Sequence, residues 1–254
     1  MLFAVDMGNT NIVVGLLDGS RVVFEERLAT NPGRTALEYA IDFKNLLELY
    51  RISRDEIDGA IISSVVPQLT EIIKSAVFKS MDVLPKVIGQ DVDPGLEIRI
   101  DQPSTLGADL IVGAVGALEP VKPPVIIVDM GTATTVTYVD PDRVYRGGII
   151  LPGVMTSFGA LVDKASQLTK IGISAPGKVI GTNTADCMRS GLVYGNASMI
   201  DGLIDRIRTE VGYPARVVAT GGLASLIIPY CRNEILVDDS LLLRGLKTIY
   251  ERNL

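Results

Sequence analysis

The chain has 254 residues, 47% of them hydrophobic and 21% charged, with a formal net charge of −6. That is enough apolar material for a sizeable core and too little charge for disorder. The acidic balance, with Lys and Arg unclustered, argues against a nucleic-acid partner.

Histidine is absent and there are only two cysteines, Cys187 and Cys231. This excludes Ser-His-Asp and Cys-His catalysis, His-ligated metals and a disulfide framework. Both cysteines read as small core residues. Carboxylates, hydroxyls, amides, backbone N–H groups and bound cations remain for catalysis. The N-terminus, MLFAVDMGNTN, has no basic leader and meets Asp6 at once, so it does not read as a signal peptide. No apolar run approaches the roughly 20 residues that span a bilayer, and a soluble, cytoplasmic protein without a membrane partner is expected.

In chain order, Leu2–Val5 is an apolar run ending in a Gly-containing turn. Ile12–Leu17 is a second run, and Asp18-Gly19-Ser20 turns the chain into Val22–Phe24. This pattern predicts a β-meander. Ala36–Leu49 has helical spacing, Ile61–Val65 reads as a strand, and a helix follows over about Gln68–Met81. A short strand is expected around Val83–Ile88 and a helix over about Thr105–Leu118. The prolines of Leu118–Pro124 cannot continue that helix, which sets a boundary between domains 1–117 and 118–254.

The second half opens as the first does. Val125–Val128, a turn, Thr134–Val139, Asp140-Pro141-Asp142, and then Val144 and Tyr145 repeat the meander, and VDMGNTN at Val5–Asn11 returns as VDMGTAT at Val128–Thr134. Positions 3–17 map onto 126–140 at a constant offset of 123, which reads as an internal duplication. Helices are expected over Ser157–Leu168 and Asn183–Val211. A strand at Arg216–Ala219 is followed by Thr220-Gly221-Gly222 and another helix, and Asp239 or Ser240 caps a last helix to about Arg252. The expectation is two similar α/β domains with a cleft between them.

A strand ending in Asp, then Gly, then hydroxyl or amide residues puts one carboxylate and several N–H groups at a hairpin tip. Gly lets a phosphate approach the backbone, and Thr and Asn donate to its oxygens. The Asp, of the wrong charge for phosphate, suits a bridging cation or its water. Either turn alone can be an ordinary hairpin, since these are turn residues in any case. Two at matching points of a duplication point to a grip on a nucleoside triphosphate, and no Walker A or GxGxxG pattern competes for that role.

Asp6-Met7-Gly8-Asn9-Thr10-Asn11 and Asp129-Met130-Gly131-Thr132 resemble the two phosphate motifs of the superfamily that holds acetate kinase, sugar kinases, heat-shock chaperones and actin. Within it, the chain is similar over its whole length to type III pantothenate kinases. The further matching segments are Gly107-Ala108-Asp109, Gly147–Gly153, Gly181–Thr184, Ser190-Gly191 with Tyr194-Gly195, and Thr220-Gly221-Gly222.

The resemblance implies two ribonuclease H-like, actin-like ATPase domains and phosphorylation of pantothenate by ATP, the first step of coenzyme A synthesis. It implies that Asp6, Met7, Gly8, Asn9, Thr10, Asn11, Ile12 and Val13 bind ATP phosphates and that Thr132 adds a contact. It gives Asp129 a monovalent cation, K+ or NH4+, alongside Mg2+, and makes Asp109 the general base on the pantothenate hydroxyl. Ile100, Gly107, Ala108, Leu110 and Thr184 fall at its substrate positions, with Thr184 reaching across a homodimer whose active site is shared.

The residues by themselves permit blander readings. Asp109 suits a helix start through the helix dipole, Thr184 likewise, and Thr220-Gly221-Gly222 is either a platform for adenosine or a plain strand-to-helix connection. Small residues at Ser190, Gly191, Gly195, Ala197 and Ser198 suit intrachain packing or a dimer equally. Two departures fall on the pantothenate side: the family's Arg after the GAD segment is Leu110 here, and its Tyr ahead of Pro103 is Ile100. Leu cannot replace a guanidinium against a carboxylate. Three readings follow: a pantothenate kinase with a varied pocket, a kinase for a related small alcohol, or a nucleotide-binding accessory protein without useful turnover.

Overall fold

The structure, a computed structural model, describes residues 1–165, 167–168 and 171–254. The elements in chain order are strands β1 (Leu2–Met7), β2 (Asn11–Asp18) and β3 (Arg21–Ala29), helix α1 (Ala36–Leu49), β4 (Gly59–Ser64), α2 (Pro67–Met81), β5 (Lys86–Val87), β6 (Glu97–Ile98) and α3 (Ala108–Ala117). Then come β7 (Val125–Met130), β8 (Ala133–Val139), β9 (Val144–Pro152), α4 (Val154–Lys164), α5 (Thr184–Ser190), α6 (Asn196–Val211), β10 (Arg216–Thr220), α7 (Ala224–Ile227), β11 (Leu236–Val237) and α8 (Leu241–Arg252). A π-helical turn, Gly191–Gly195, joins α5 directly to α6.

These elements form two units. The first comprises Met1–Glu97, Asp101–Glu119 and Ser240–Leu254, and the second Ile98–Ile100 and Pro120–Asp239. The sequence division at residue 118 runs straight along the chain. In the structure the last helix, α8, belongs with the first unit, where Leu243, Leu246 and Ile249 pack with Val112 and Val115 of α3. That packing is long-range and carries no local sequence signal.

In the first unit the sheet order is β3-β2-β1-β4-β5, with β1 antiparallel to β2 and parallel to β4. All of β1 is buried, because both faces of the sheet are covered, the usual condition of a strand with parallel neighbours. Phe3, Val5 and Met7 face a core with Tyr39 and Phe43 of α1 and Leu69 and Ile73 of α2. Leu2 and Ala4 face α3 and α8. Helix α1 spans the predicted residues and starts at a capping box, Thr35 with Glu38.

The second unit repeats the plan. Its sheet order is β11-β10-β7-β8-β9-β6, with β7 antiparallel to β8 and parallel to β10. Both meanders carry a bulge at the matching place, between Leu16 and Leu17 against β3 and between Tyr138 and Val139 against β9. The offset of 123 holds only as far as the turn. Met7 pairs with Ile12 across Gly8–Asn11, whereas Met130 pairs with Thr134 across Gly131–Ala133, so the second turn is one residue shorter.

Other boundaries differ from the sequence reading. The third strand of each meander continues to Ala29 and to Pro152. The helix expected over Ser157–Leu168 is α4, Val154–Lys164, and residue 166 of that range lies outside the described residues. The strand expected over Val83–Ile88 shrinks to β5, and the helix expected from Thr105 starts at Ala108 after a single turn, Pro103–Thr105. Neither cysteine is a fully buried core residue: Cys187 is exposed and Cys231 half-buried. Cys187 lies on α5, whose buried residues are Met188 and Ser190. None of the described helices is long and apolar enough to cross a membrane.

Candidate active site

In the first unit, β1 and β4 run parallel and end together, so the carboxyl ends of two strands lie side by side, where α/β sheets usually receive ligands. Asp6, 6% exposed, is the penultimate residue of β1. Its register partners are Val13 on β2 and Ser63 on β4. By strand alternation Asp6 and Ser63 share the face of Ala4 and Ile61, which α3 covers.

Asp109 is the second residue of α3. Met7 O accepts a hydrogen bond from Val65 N at 3.0 Å. Val65 Cγ1 in turn lies 3.5 Å from the place where a Cβ on Gly107 would stand, and the Asp109 carboxylate occupies the rest of that space. The carboxylate curls back over Gly107, and a side chain there would turn it away. This run of neighbours joins the end of β1 to Asp109. Burial pushes the Asp109 carboxyl above its usual value, against the opposing effect of its bond from Leu110 N at 2.8 Å, which makes it a stronger proton acceptor.

The turn between β1 and β2 is clamped from behind. Gly8 N donates to Asn11 O at 3.0 Å, Thr30 Oγ1 donates to Gly8 O at 2.7 Å, and Thr30 N donates to Thr10 O at 3.0 Å. Asn9, Thr10 and Asn11 are exposed, while the side chains of Met7 and Ile12 are fully buried in the core. Met7 and Ile12 therefore have only main chain to offer a ligand. Gly8 and Val13 are part-exposed beside them.

The second unit clamps its turn in the same way. Gly131 N donates to Ala133 O and Gly153 N to Thr132 O, each at 3.0 Å, and Thr156 Oγ1 donates to Thr132 O at 2.8 Å. Asp129 is half-buried, with Thr135 and Thr220 as register partners. Thr132 is exposed at the tip. Ile100 lies in this unit rather than with Asp109: it follows Arg99, whose N–H donates to Tyr145 O at 3.0 Å. Thr184 opens α5 after Asn183, whose side chain accepts from Asp186 N. It borders an apolar cavity of about 400 Å³ with Val154, Phe158, Leu161, Cys187 and Met188.

A family model for type III pantothenate kinase matches residues 2–206. The chain belongs to the type III pantothenate kinase family. A type III pantothenate kinase of Exiguobacterium sp. (strain ATCC BAA-1283 / AT1b) is 43% identical over 253 residues, 100% of this chain and 99% of that protein. One from Pelobacter propionicus is 42% identical and covers 100% of both chains. Among solved structures, a Sinorhizobium meliloti protein assigned as a 2-dehydro-3-deoxygalactonokinase superposes with a TM-score of 0.65 at 15% identity, covering 100% of this chain and 99% of its own. At that identity the likeness speaks for the fold alone, the two-domain actin-like ATPase fold expected from the sequence.

For a type III pantothenate kinase, the geometry groups Asp6, Gly8, Val13, Gly107, Ala108, Asp109 and Leu110 in the first unit, and Ile100, Asp129, Thr132 and Thr184 in the second. Three residues went unremarked in the sequence. Thr30 and Thr156 hold the two Asp-Met-Gly turns, but each is far along the chain from the turn it bonds. Ser63 lies beside Asp6 only through strand pairing. The signal that could have found Ser63 is the polar pair Ser63-Ser64 closing an otherwise apolar buried strand.

Proposed function

We propose that this chain transfers the γ-phosphoryl group of ATP to the primary hydroxyl of pantothenate. The observation that carries the reading is Asp109: a carboxylate made more basic by burial, at the start of α3, on the sheet face that also bears Asp6. Asp109 accepts the hydroxyl proton as the oxygen–phosphorus bond forms. The bond from the γ-phosphorus to the β–γ bridging oxygen breaks, and ADP leaves with its electrons. The main chain of Gly8–Val13 and the side chains of Asn9, Thr10 and Asn11 hold the phosphates, and Thr132 adds a contact from the second turn.

Mg2+, when bound, neutralises charge on the transferring phosphoryl group. Among the described residues no group of three or more Asp, Glu or Cys side chains gathers to hold a metal ion; Asp6 would help to hold Mg2+, and Asp129 K+ or NH4+, once the nucleotide is bound. Gly107, Ala108, Leu110 and Ile100 contact pantothenate, and the protein works in the cytoplasm as a homodimer in which Thr184 reaches the partner's substrate.

The test is pantothenate-dependent formation of ADP together with a product heavier than pantothenate by one phosphoryl group. Size measurement in solution tests the dimer. Phosphorylation of a related alcohol but not pantothenate would favour the reading that Leu110 and Ile100 have changed the substrate.

A further inference from the structure

Each half of the molecule places a buried hydroxyl beside its phosphate-turn aspartate, on the neighbouring parallel strand. Asp6 is in register with Ser63 and Asp129 with Thr220. Ser63 is 0% and Thr220 2% exposed. Register partners point to the same face of a sheet, with β-carbons about 5 Å apart, so the hydroxyl of one can reach the carboxylate of the other. The two pairs lie at equivalent points of the duplication, yet the serine and threonine come from segments without sequence likeness: Ala60-Ile61-Ile62-Ser63 and Val217-Val218-Ala219-Thr220 share only the apolar run and the final hydroxyl.

Ser63 Oγ is buried and has no hydrogen-bond partner among the described residues. An unsatisfied hydroxyl in such a place is costly, and alanine would fit the strand without that cost. Its χ1 has staggered alternatives, one of which turns Oγ toward the neighbouring strand.

We propose that Ser63 is a positioning residue for Asp6, and Thr220 for Asp129: each hydroxyl donates to one carboxylate oxygen and so aims the other at a cation on the nucleotide phosphates. This rests on the reading of the two turns as phosphate sites. Outer-shell hydrogen-bond partners orient the groups that ligate a metal, and their removal typically costs about 10–100-fold in metal affinity.

The experiment is calorimetric titration of the full chain with ADP, in Mg2+ and in a chelator, for the wild type, Ser63→Ala, Ser63→Thr and Thr220→Val, with thermal unfolding of each. The expected result is that Ser63→Ala weakens ADP binding about tenfold or more in Mg2+ but leaves it unchanged in chelator. Its unfolding temperature should hold or rise, because an unsatisfied polar group has gone, and Ser63→Thr should keep the Mg2+ effect. Equal affinities for wild type and Ser63→Ala in Mg2+ would overturn the proposal. So would equal weakening in both buffers with a lower unfolding temperature, which would mark Ser63 as packing only. A wild type that binds ADP with this Mg2+ dependence yet never phosphorylates pantothenate would sink the kinase reading and leave the Ser63 proposal standing.

Discussion

Gly221 packs its backbone directly on Met130. A Cβ on Gly221 would stand 2.6 Å from Met130 N and 2.7 Å from its carbonyl carbon and oxygen, and Gly221 has φ +97. The loop after β10 is thus pressed against the end of β7, one residue from Asp129. Gly221→Ala should therefore cost both strain and a backbone collision, about 3 kcal/mol, with weakened ATP binding. Gly19→Ala is the control: φ is +53 but nothing lies within 4 Å of the added carbon, so only the left-handed backbone is strained, about 1 kcal/mol. Chemical denaturation of the two variants measures the difference.

Thr30→Val and Thr156→Val each remove one hydroxyl that holds a turn proposed to bind phosphate, through Gly8 O or Thr132 O. Each should lower stability by about 1 kcal/mol and raise KM for ATP severalfold while KM for pantothenate holds. A rise in both constants together would mean that the turns do not act on the nucleotide alone.

Asp109 and Asp201 should give stability opposite dependences on pH. Burial raises the Asp109 pKa, so its contribution to stability is full below the ordinary aspartate value and is lost as pH rises through the raised one. Asp109→Asn should unfold at a higher temperature than wild type at neutral pH, with the gain vanishing below about pH 4. Burial also pushes Asp201 upward, but hydrogen bonds from Arg232 N, Asn233 N and the Asn233 side chain outweigh it, and its carboxyl titrates below the usual range. Its stabilisation is present above the ordinary value and is lost as pH falls through the lowered one. Asp201→Asn should be destabilised at neutral pH and less so in acid. Melting curves from pH 3 to 8 check both signs.

Much of the fold was legible because the local signals were strong. The helical spacing of Ala36–Leu49 announces α1, and the doubled VDMG announces the duplication. Pro85 and the exposed Leu84 shorten β5 despite its apolar letters, and β3 outruns its apolar core because Glu25, Glu26 and Arg27 lie on a part-exposed strand. The joining of α8 to the first unit and the pairing of Ser63 with Asp6 depend on contacts between distant segments, so no window of sequence contains them. The π-helical turn at Gly191–Gly195 adds residues without breaking the helical pattern, so Asn183–Val211 reads as one helix. Asp109 stood out through its Gly107-Ala108 context, whereas its raised basicity follows from burial within the first unit.

The resemblance read from the sequence puts an Arg after Gly107-Ala108-Asp109, where this chain has Leu110. Leu110→Arg should lower KM for pantothenate about tenfold, as one charge-assisted hydrogen bond to its carboxylate would, with KM for ATP unchanged. No change in either constant would place the side chain of residue 110 away from the substrate carboxylate.

The central claim is met most directly by ADP release from purified protein with ATP, Mg2+ and K+, with and without pantothenate, for wild type and Asp109→Asn. Pantothenate-dependent release that falls by a factor of about 100 or more in the variant, while the variant still binds ATP, is the predicted result. A wild type that binds ATP but shows no pantothenate-dependent release, or an Asp109→Asn variant that turns over as fast as wild type, would contradict it.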